Sequence, residues 1–176
     1  MKQSGKVALG GVMGAVALIC LLGTVFPYAT YALPAMAGVA LMPVAIEAGN
    51  RWGFLVYAAV ALLNLLLTPS MEAKLLFVAF FGYYPVLHLV LQTRSRVAEW
   101  GIKLAVFNLS MIVSYLLMLQ VFGLESDAFE LFGFNLPAVF LAVGNVTFVI
   151  YDLALRNLTL LYRRFLQPQL SRLFRL

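Results

Sequence analysis

The polar side chains that could do chemistry in this chain are few, and most of them lie inside long apolar runs. Tyr84 and His88 stand four residues apart, which places them on one face of a helix. Asn108 and Tyr115 also share a face, and Asn145 lies in another apolar run. Buried amides and phenols need hydrogen-bond partners, which are either one another or a bound small molecule. The spacing leaves both alternatives open.

Enzymatic chemistry finds no support in the residue pattern. The chain has one histidine, His88, and one cysteine, Cys20, so neither a Ser–His–Asp arrangement nor a disulfide is indicated. The sequence contains no cluster of His and acidic residues with metal-ligand spacing and no Gly-rich phosphate loop. We therefore expect no catalytic residue, no metal site and no cofactor. Nucleic-acid binding is not expected either, because the basic residues flank apolar runs.

The composition defines the surroundings of these polar residues. Of the 176 residues, 64% are hydrophobic and 11% are charged, against about 25% charged in an ordinary soluble domain. A soluble core in a chain of this length could not bury so many apolar side chains. We interpret residues 1–176 as a single integral membrane domain that resides in the cell membrane.

Six apolar runs approach or reach the length of a membrane span, which is about 17–25 helical residues. They are Val7–Phe26, Tyr31–Ile46, Trp52–Leu67, Ala73–Leu91, Trp100–Phe122 and Leu136–Leu155. The second and third are short, and a hairpin dipping from one side would reduce the count to five. We favour six because residues 31–67 are too many for one crossing. The predicted fold is all-α, a bundle of six transmembrane helices.

The distribution of Lys and Arg predicts that both termini are cytoplasmic. Six spans place eleven of the twelve basic residues on the side of the termini and leave Lys74 on the other. A five-span chain would separate the basic N-terminus from the basic C-terminus. The end of the chain, residues 163–176, mixes Arg with Leu and Phe, which is typical of a basic amphipathic segment at the membrane interface.

The N-terminal run could also be a cleaved secretory signal, with Lys2 and Lys6 before it and Tyr28–Ala32 as a loose cleavage site. Its apolar length exceeds that of a usual signal core, so we expect the first helix to remain.

The first run contains small residues at helical spacing. Gly10 with Gly14, and Gly11 with Ala15, form two overlapping small-x-x-x-small pairs. Each interior glycine costs about 0.5–1 kcal/mol relative to alanine, so close helix packing must offset that cost. The partner is either a helix of the same chain or another membrane subunit.

Two further features mark the fourth and sixth runs. Gly82 and Pro85 lie within the fourth, where Pro85 removes a backbone donor and should kink the helix. Such interruptions often border substrate sites in transporters. In the sixth, Asp152 and Arg156 stand four apart, which favours a local ion pair.

The architecture and two sequence stretches resemble a known family. The six short helices, the small-residue face of the first helix and the segment LPAMAGVALMPVAIEAG (Leu33–Gly49) are similar to the S component, the substrate-binding membrane subunit, of an energy-coupling factor (ECF) transporter. The resemblance implies a protein of the prokaryotic plasma membrane that captures a micronutrient such as a vitamin. It also implies docking on a transmembrane coupling subunit with cytoplasmic ATPases, through the residues that match the family's small-residue motif: Gly10, Gly11, Gly14 and Ala15. The N-terminus lacks the His-containing motif of the nickel and cobalt branch.

The resemblance places the solute site in the outer half of the bundle, beneath the loops after the first, third and fifth helices. The candidate residues there are Tyr28, Tyr31, Glu72, Lys74, Phe129 and Asn135. Polar residues within the spans complete the set: Asn64, Tyr84, Asn108, Tyr115 and Asn145. The competing interpretation is a non-transporting membrane scaffold of the MreD type, which would fill the same region with Leu and Phe. The identity of the solute is open.

Overall fold

The computed structural model describes residues 2–91, 96–122, 130–131 and 134–168, and these residues are almost entirely helical. The helices are α1 (Gln3–Leu22), α2 (Ala32–Ala48), α3 (Asn50–Leu67), α4 (Met71–Leu76), α5 (Tyr84–Val90), α6 (Arg96–Phe122) and α7 (Leu136–Leu161). Two short strands, β1 (Glu130–Leu131) and β2 (Phe134–Asn135), pair antiparallel immediately before α7. The predicted all-α class is confirmed for the part of the chain that is described.

Four helical stretches of the described residues are long and apolar enough to cross a membrane: Gln3–Val25, Asn50–Leu67, Met71–Val90 and Arg96–Leu117. Helix α2 is a shorter apolar helix of 17 residues, and α7 has 26 residues. Each of the six predicted apolar runs therefore coincides with helical structure. This agreement supports the class of a membrane protein with several helices.

Helices α2 and α3 meet at a single residue. Gly49 has φ of 96°, a left-handed backbone conformation that glycine adopts without the steric penalty of a β-carbon. Helix α3 begins at the next residue, Asn50. Residues 31–67 thus form two helices, as the sequence predicts.

The fourth run is interrupted where Gly82 and Pro85 predict it. Helix α4 continues into a π-helical segment, Phe77–Phe81, in which the Gly82 amide donates to the Phe77 carbonyl over 2.8 Å. Pro85 lies in the first turn of α5, where a missing amide hydrogen is tolerated. The predicted kink takes the form of a π-helical segment and a turn, both of which are recognised causes of helix bending.

The described residues within 1–92 and 155–176 form one compact unit, in which α2 is the central helix. It contacts α1, α3, α5 and the π-helical segment, and small buried residues such as Ala37, Gly38 and Ala45 permit this crowding. A core cluster combines side chains from all sides of α2: Ala17, Leu21, Ala37, Leu41, Val60, Ala61 and Phe77. The end of α7 joins this unit, since the Thr159 hydroxyl lies 3.2 Å from the Met42 sulfur.

Residues 93–154 form the second compact unit. It consists of α6, the β1–β2 pair and the larger part of α7. Stacked rings of Phe107 and Phe148, with centroids 4.7 Å apart, lie between the two helices. Both rings are buried, so this aromatic contact is the apolar centre of the α6–α7 pair.

Candidate functional site

The predicted site residues of the first unit come together mainly at the start of α4. We give the name α3–α4 cluster to Tyr31, Asn64, Glu72 and Lys74, together with Thr68, which was not predicted. The Asn64 amide donates to the Lys74 carbonyl over 3.2 Å, and the Thr68 hydroxyl donates to the Asn64 side-chain oxygen over 2.7 Å. Asn64 is completely buried. Its side chain therefore ties the end of α3 to α4.

Thr68 is buried like Asn64, whereas Tyr31 and Glu72 are exposed and Lys74 is partly exposed. Ser70 caps α4 by accepting a hydrogen bond from the Ala73 amide, which makes Glu72 and Lys74 helical rather than loop residues. Tyr31, the residue before α2, has its hydroxyl beside the Glu72 carboxylate. Partial burial and then the negative charge of Glu72 raise the pKa of Tyr31. The Tyr31 side chain is 65% exposed, so these polar groups face the surroundings of the protein.

Two other predicted residues of this unit, Tyr28 and Tyr84, are not members of the α3–α4 cluster. Tyr28 is fully exposed. Tyr84 is completely buried and stacks on Phe80, with ring centroids 4.6 Å apart, while the His88 ring lies 6.3 Å from that of Tyr84. The predicted shared face of Tyr84 and His88 is confirmed, and it packs in an aromatic core.

Residues that sequence reasoning did not select hold this aromatic core in place. The Tyr57 hydroxyl donates to the Val78 carbonyl of the π-helical segment over 2.7 Å. Pro85 has no amide hydrogen for the Phe81 carbonyl four residues earlier, and this carbonyl faces Gly38 of α2. A β-carbon at position 38 would overlap the Phe81 oxygen. A glycine inside an alanine-rich run indicates close helix packing at Gly38. The sequence does not indicate that the Phe81 carbonyl is the group it contacts.

In the second unit, Asn108 and Asn145 bind each other. The Asn108 amide donates to the Asn145 side-chain oxygen over 2.9 Å, and the reverse bond is 3.0 Å. Each amide also donates within its own helix, to the Leu104 and Leu141 carbonyls respectively. All four amide hydrogens therefore have acceptors. The sequence left open whether these amides bind each other or a small molecule, and the structure shows that they bind each other. Tyr115, the other predicted residue of α6, lies further along that helix and is half-buried.

A buried charge cluster lies between the same two helices. The Lys103 ammonium is 3.0 Å from one Asp152 oxygen and 2.7 Å from a Glu99 oxygen, and the Lys103 side chain is only 2% exposed. The distribution of Lys and Arg predicts Lys103 on the cytoplasmic side, and the four-residue spacing predicts an ion pair of Asp152 with Arg156. The sequence did contain a signal for the Lys103–Asp152 pair. A cation and an anion lie within two separate apolar runs, and such residues pair across helices.

The glycine-rich face of α1 divides into two parts. Gly10 and Gly14 are buried against α3, where β-carbons would lie 2.9 Å and 3.4 Å from the nearest atoms of Val56 and Val60 respectively. Gly11 has no such neighbour within 4 Å, and both Gly11 and Ala15 are exposed. They border an open cavity of about 450 Å³ that we call the α1–α3 groove, lined among others by Gly11, Ala15, Leu55, Ala59 and Leu63.

Some predicted residues fall outside the described part. Asn135 is described only as a member of β2, paired with Glu130, and Phe129 and residues 169–176 of the basic segment lie outside the described residues. Among the described residues, no group of three His, Cys, Asp or Glu side chains is arranged to hold a metal ion. Every buried side-chain nitrogen or oxygen there has a hydrogen-bond partner.

The described residues form an almost entirely helical protein in which four helices are long and apolar enough to cross a membrane. Comparison with protein-family models, with curated proteins and with solved structures finds no match to this chain.

Proposed function

We propose that this chain is a six-span membrane subunit that captures a small solute, in the manner of an ECF S component. The α3–α4 cluster supports this proposal most directly. It brings the Tyr31 hydroxyl and the Glu72 carboxylate to one end of apolar helices. Asn64 fixes the α4 backbone there by donating to the carbonyl of Lys74, whose side chain is partly exposed. Exposed donors and acceptors on a fixed frame are what orients a polar solute.

The capture site can be tested with the purified chain and its extracted small molecules. We expect mass spectrometry to find a retained solute in the natural chain and not in Glu72→Gln. Losing one charged hydrogen-bond partner should weaken retention about tenfold to a hundredfold. Glu47→Gln, at the far end of α2 from Tyr31, is the matched control and should retain the solute. Equal retention by Glu72→Gln would remove this cluster from the proposed site.

The proposed topology has both termini in the cytoplasm and the α3–α4 cluster outside. Single cysteines at Ser4, Asp127 and Ser171, in a variant without Cys20, test it with a membrane-impermeant thiol reagent on intact cells. Only Asp127→Cys should be labelled. Labelling at Ser171→Cys would contradict the six-span proposal.

The partner in this proposal is a transmembrane coupling subunit with cytoplasmic ATPases. Because Gly10 and Gly14 pack on α3, docking through α1 involves the exposed residues Gly11 and Ala15. Ala15→Leu should reduce co-purification of such a subunit from cells while solute retention by the isolated chain is unchanged. Undiminished co-purification would exclude this face.

A non-transporting scaffold of the MreD type is the second candidate. The observation that favours it is that Asn64, Asn108 and Asn145 bond within the chain. A scaffold would carry no retained solute, and it would co-purify with membrane or cytoplasmic partners that lack ATPase subunits.

A further inference from the structure

The α1–α3 groove is a long apolar depression between two helices of one compact unit. Its walls combine small residues, Gly11, Ala15 and Ala59, with the larger side chains of Leu55 and Leu63. Because these small residues come from both helices, they leave a space that larger side chains would otherwise fill. The cavity of about 450 Å³ is open rather than enclosed. Gly11, Ala15 and Ala59 on its walls are exposed, so an occupant can enter it from the surroundings.

One end of the groove differs chemically from the rest. Lys6 of α1 and Trp52 of α3 line that end, and exposed Arg51 precedes Trp52 in the chain. Tryptophan is enriched where a bilayer meets water, and Lys and Arg near that boundary attract anionic lipid headgroups. The groove therefore has a positively charged interfacial end and an apolar body.

We propose that the α1–α3 groove binds one anionic phospholipid, with an acyl chain along Gly11, Ala15 and Ala59 and the phosphate beside Lys6 and Arg51. An acyl chain needs no hydrogen-bond partners, which suits the apolar walls. The negative headgroup complements the charges at the Trp52 end. This inference concerns the chain outside a complex, and it holds whether or not a partner helix later displaces the lipid.

The test uses the full chain in detergent micelles that contain equal amounts of dioleoyl phosphatidylglycerol and dioleoyl phosphatidylcholine. Native mass spectrometry should show one retained phosphatidylglycerol per chain. Gly11→Leu fills the groove, and it should fold because no atom lies within 4 Å of the added β-carbon. Excluding two methylene groups of the acyl chain should lower retention about tenfold.

The matched control for groove filling is Gly101→Leu. Gly101 of α6 is also exposed and has no neighbour within 4 Å of an added β-carbon, so this variant should retain the lipid like the natural chain. Ala59→Leu fills the groove from α3 and should reproduce the effect of Gly11→Leu. Equal retention by Gly11→Leu and Gly101→Leu would overturn the proposal.

The headgroup contact is tested separately. Lys6→Gln should lower phosphatidylglycerol retention about fivefold, whereas Lys2→Gln, which lies before the groove, should have a smaller effect. Equal retention of phosphatidylcholine and phosphatidylglycerol by the natural chain would overturn the anionic assignment. Absence of retained lipid, or a protein subunit found in its place on the isolated chain, would overturn the proposal as a whole.

Discussion

The two compact units hold their helices together by different physical means. In the first unit, α2 approaches its neighbours through small residues, and Gly38 lies directly against the Phe81 carbonyl. In the second, α6 and α7 are joined by side chains: the Asn108–Asn145 pair, the Phe107–Phe148 stack and the Lys103–Asp152 ion pair. Hydrophobic burial does not drive helices together in lipid, so close packing and polar pairing must do so. Close packing through small residues is prominent around α2 in the first unit, where Tyr57 and Asn64 also donate hydrogen bonds to backbone carbonyls of neighbouring segments. Side-chain pairs join α6 and α7 in the second unit.

The difference predicts how each unit responds to substitution. A contact between backbones fails when any side chain is added, whatever its polarity. A polar pair fails when one member is removed, but it tolerates removal of both members if apolar groups of similar size replace them. Single and double variants can therefore separate the two modes.

The largest effect is expected for Lys103→Met. This variant leaves the buried Asp152 carboxylate without the ammonium group that lies 3.0 Å away, and breaking a buried ion pair costs about 3–5 kcal/mol. The free energy of unfolding, measured by denaturant titration in detergent micelles, should fall by that amount. Lys103→Met with Asp152→Leu should recover most of the loss. A double variant as unstable as the single one would show that the pair does not act as a unit.

Gly38→Ala should be the most damaging single substitution in the first unit. The added methyl group overlaps the Phe81 carbonyl, and relieving such a clash costs about 1–3 kcal/mol. Gly11→Ala is the matched control, since nothing lies within 4 Å of its β-carbon. That variant should leave stability unchanged or raise it by up to about 1 kcal/mol. Equal thermal unfolding temperatures for the two variants would contradict the close approach of α2 to the π-helical segment.

A smaller effect is expected for Asn145→Leu. Interhelical side-chain hydrogen bonds in membrane proteins contribute about 0.6–1.7 kcal/mol, and this variant leaves Asn108 without its partner on α7. The double variant Asn108→Leu with Asn145→Leu should regain stability. A solute-binding role for Asn145 predicts a different result, in which solute retention is lost while the unfolding free energy is unchanged. Measuring solute retention and the unfolding free energy on the same preparation distinguishes a structural role of Asn145 from a solute-binding role.

The sequence was most informative where the signal is local. Apolar length predicted the six helical runs, and Gly82 with Pro85 predicted the break in the fourth, because both depend on residues close in the chain. The sequence predicted less well which residues contact each other across helices. Lys103 looked like a charge at the membrane surface, since its partner Asp152 is 49 residues away. The small residues of α1 indicated close packing, but the division between buried Gly10 and exposed Gly11 depends on where α3 lies.

The smallest expected effect concerns pH and the contact that joins the turn after α7 to α2. The Tyr162 hydroxyl, in the π-helical turn after α7, donates to a Glu47 oxygen over 3.2 Å. Burial first and the Glu47 charge second raise the pKa of Tyr162 above its ordinary value near 10. The folded chain thus holds this proton more tightly than the unfolded chain, so the stabilisation is fully present below about pH 10 and is lost as pH rises through the raised pKa.

The unfolding free energy should therefore fall more steeply above about pH 10 for the natural chain than for Tyr162→Phe. Tyr31→Phe is the comparison variant. Partial burial first and the Glu72 charge second raise the pKa of Tyr31 as well, but solvent screens a group that is 65% exposed. Parallel pH profiles for the natural chain and Tyr162→Phe would show that the Glu47 contact does not stabilise the end of α7.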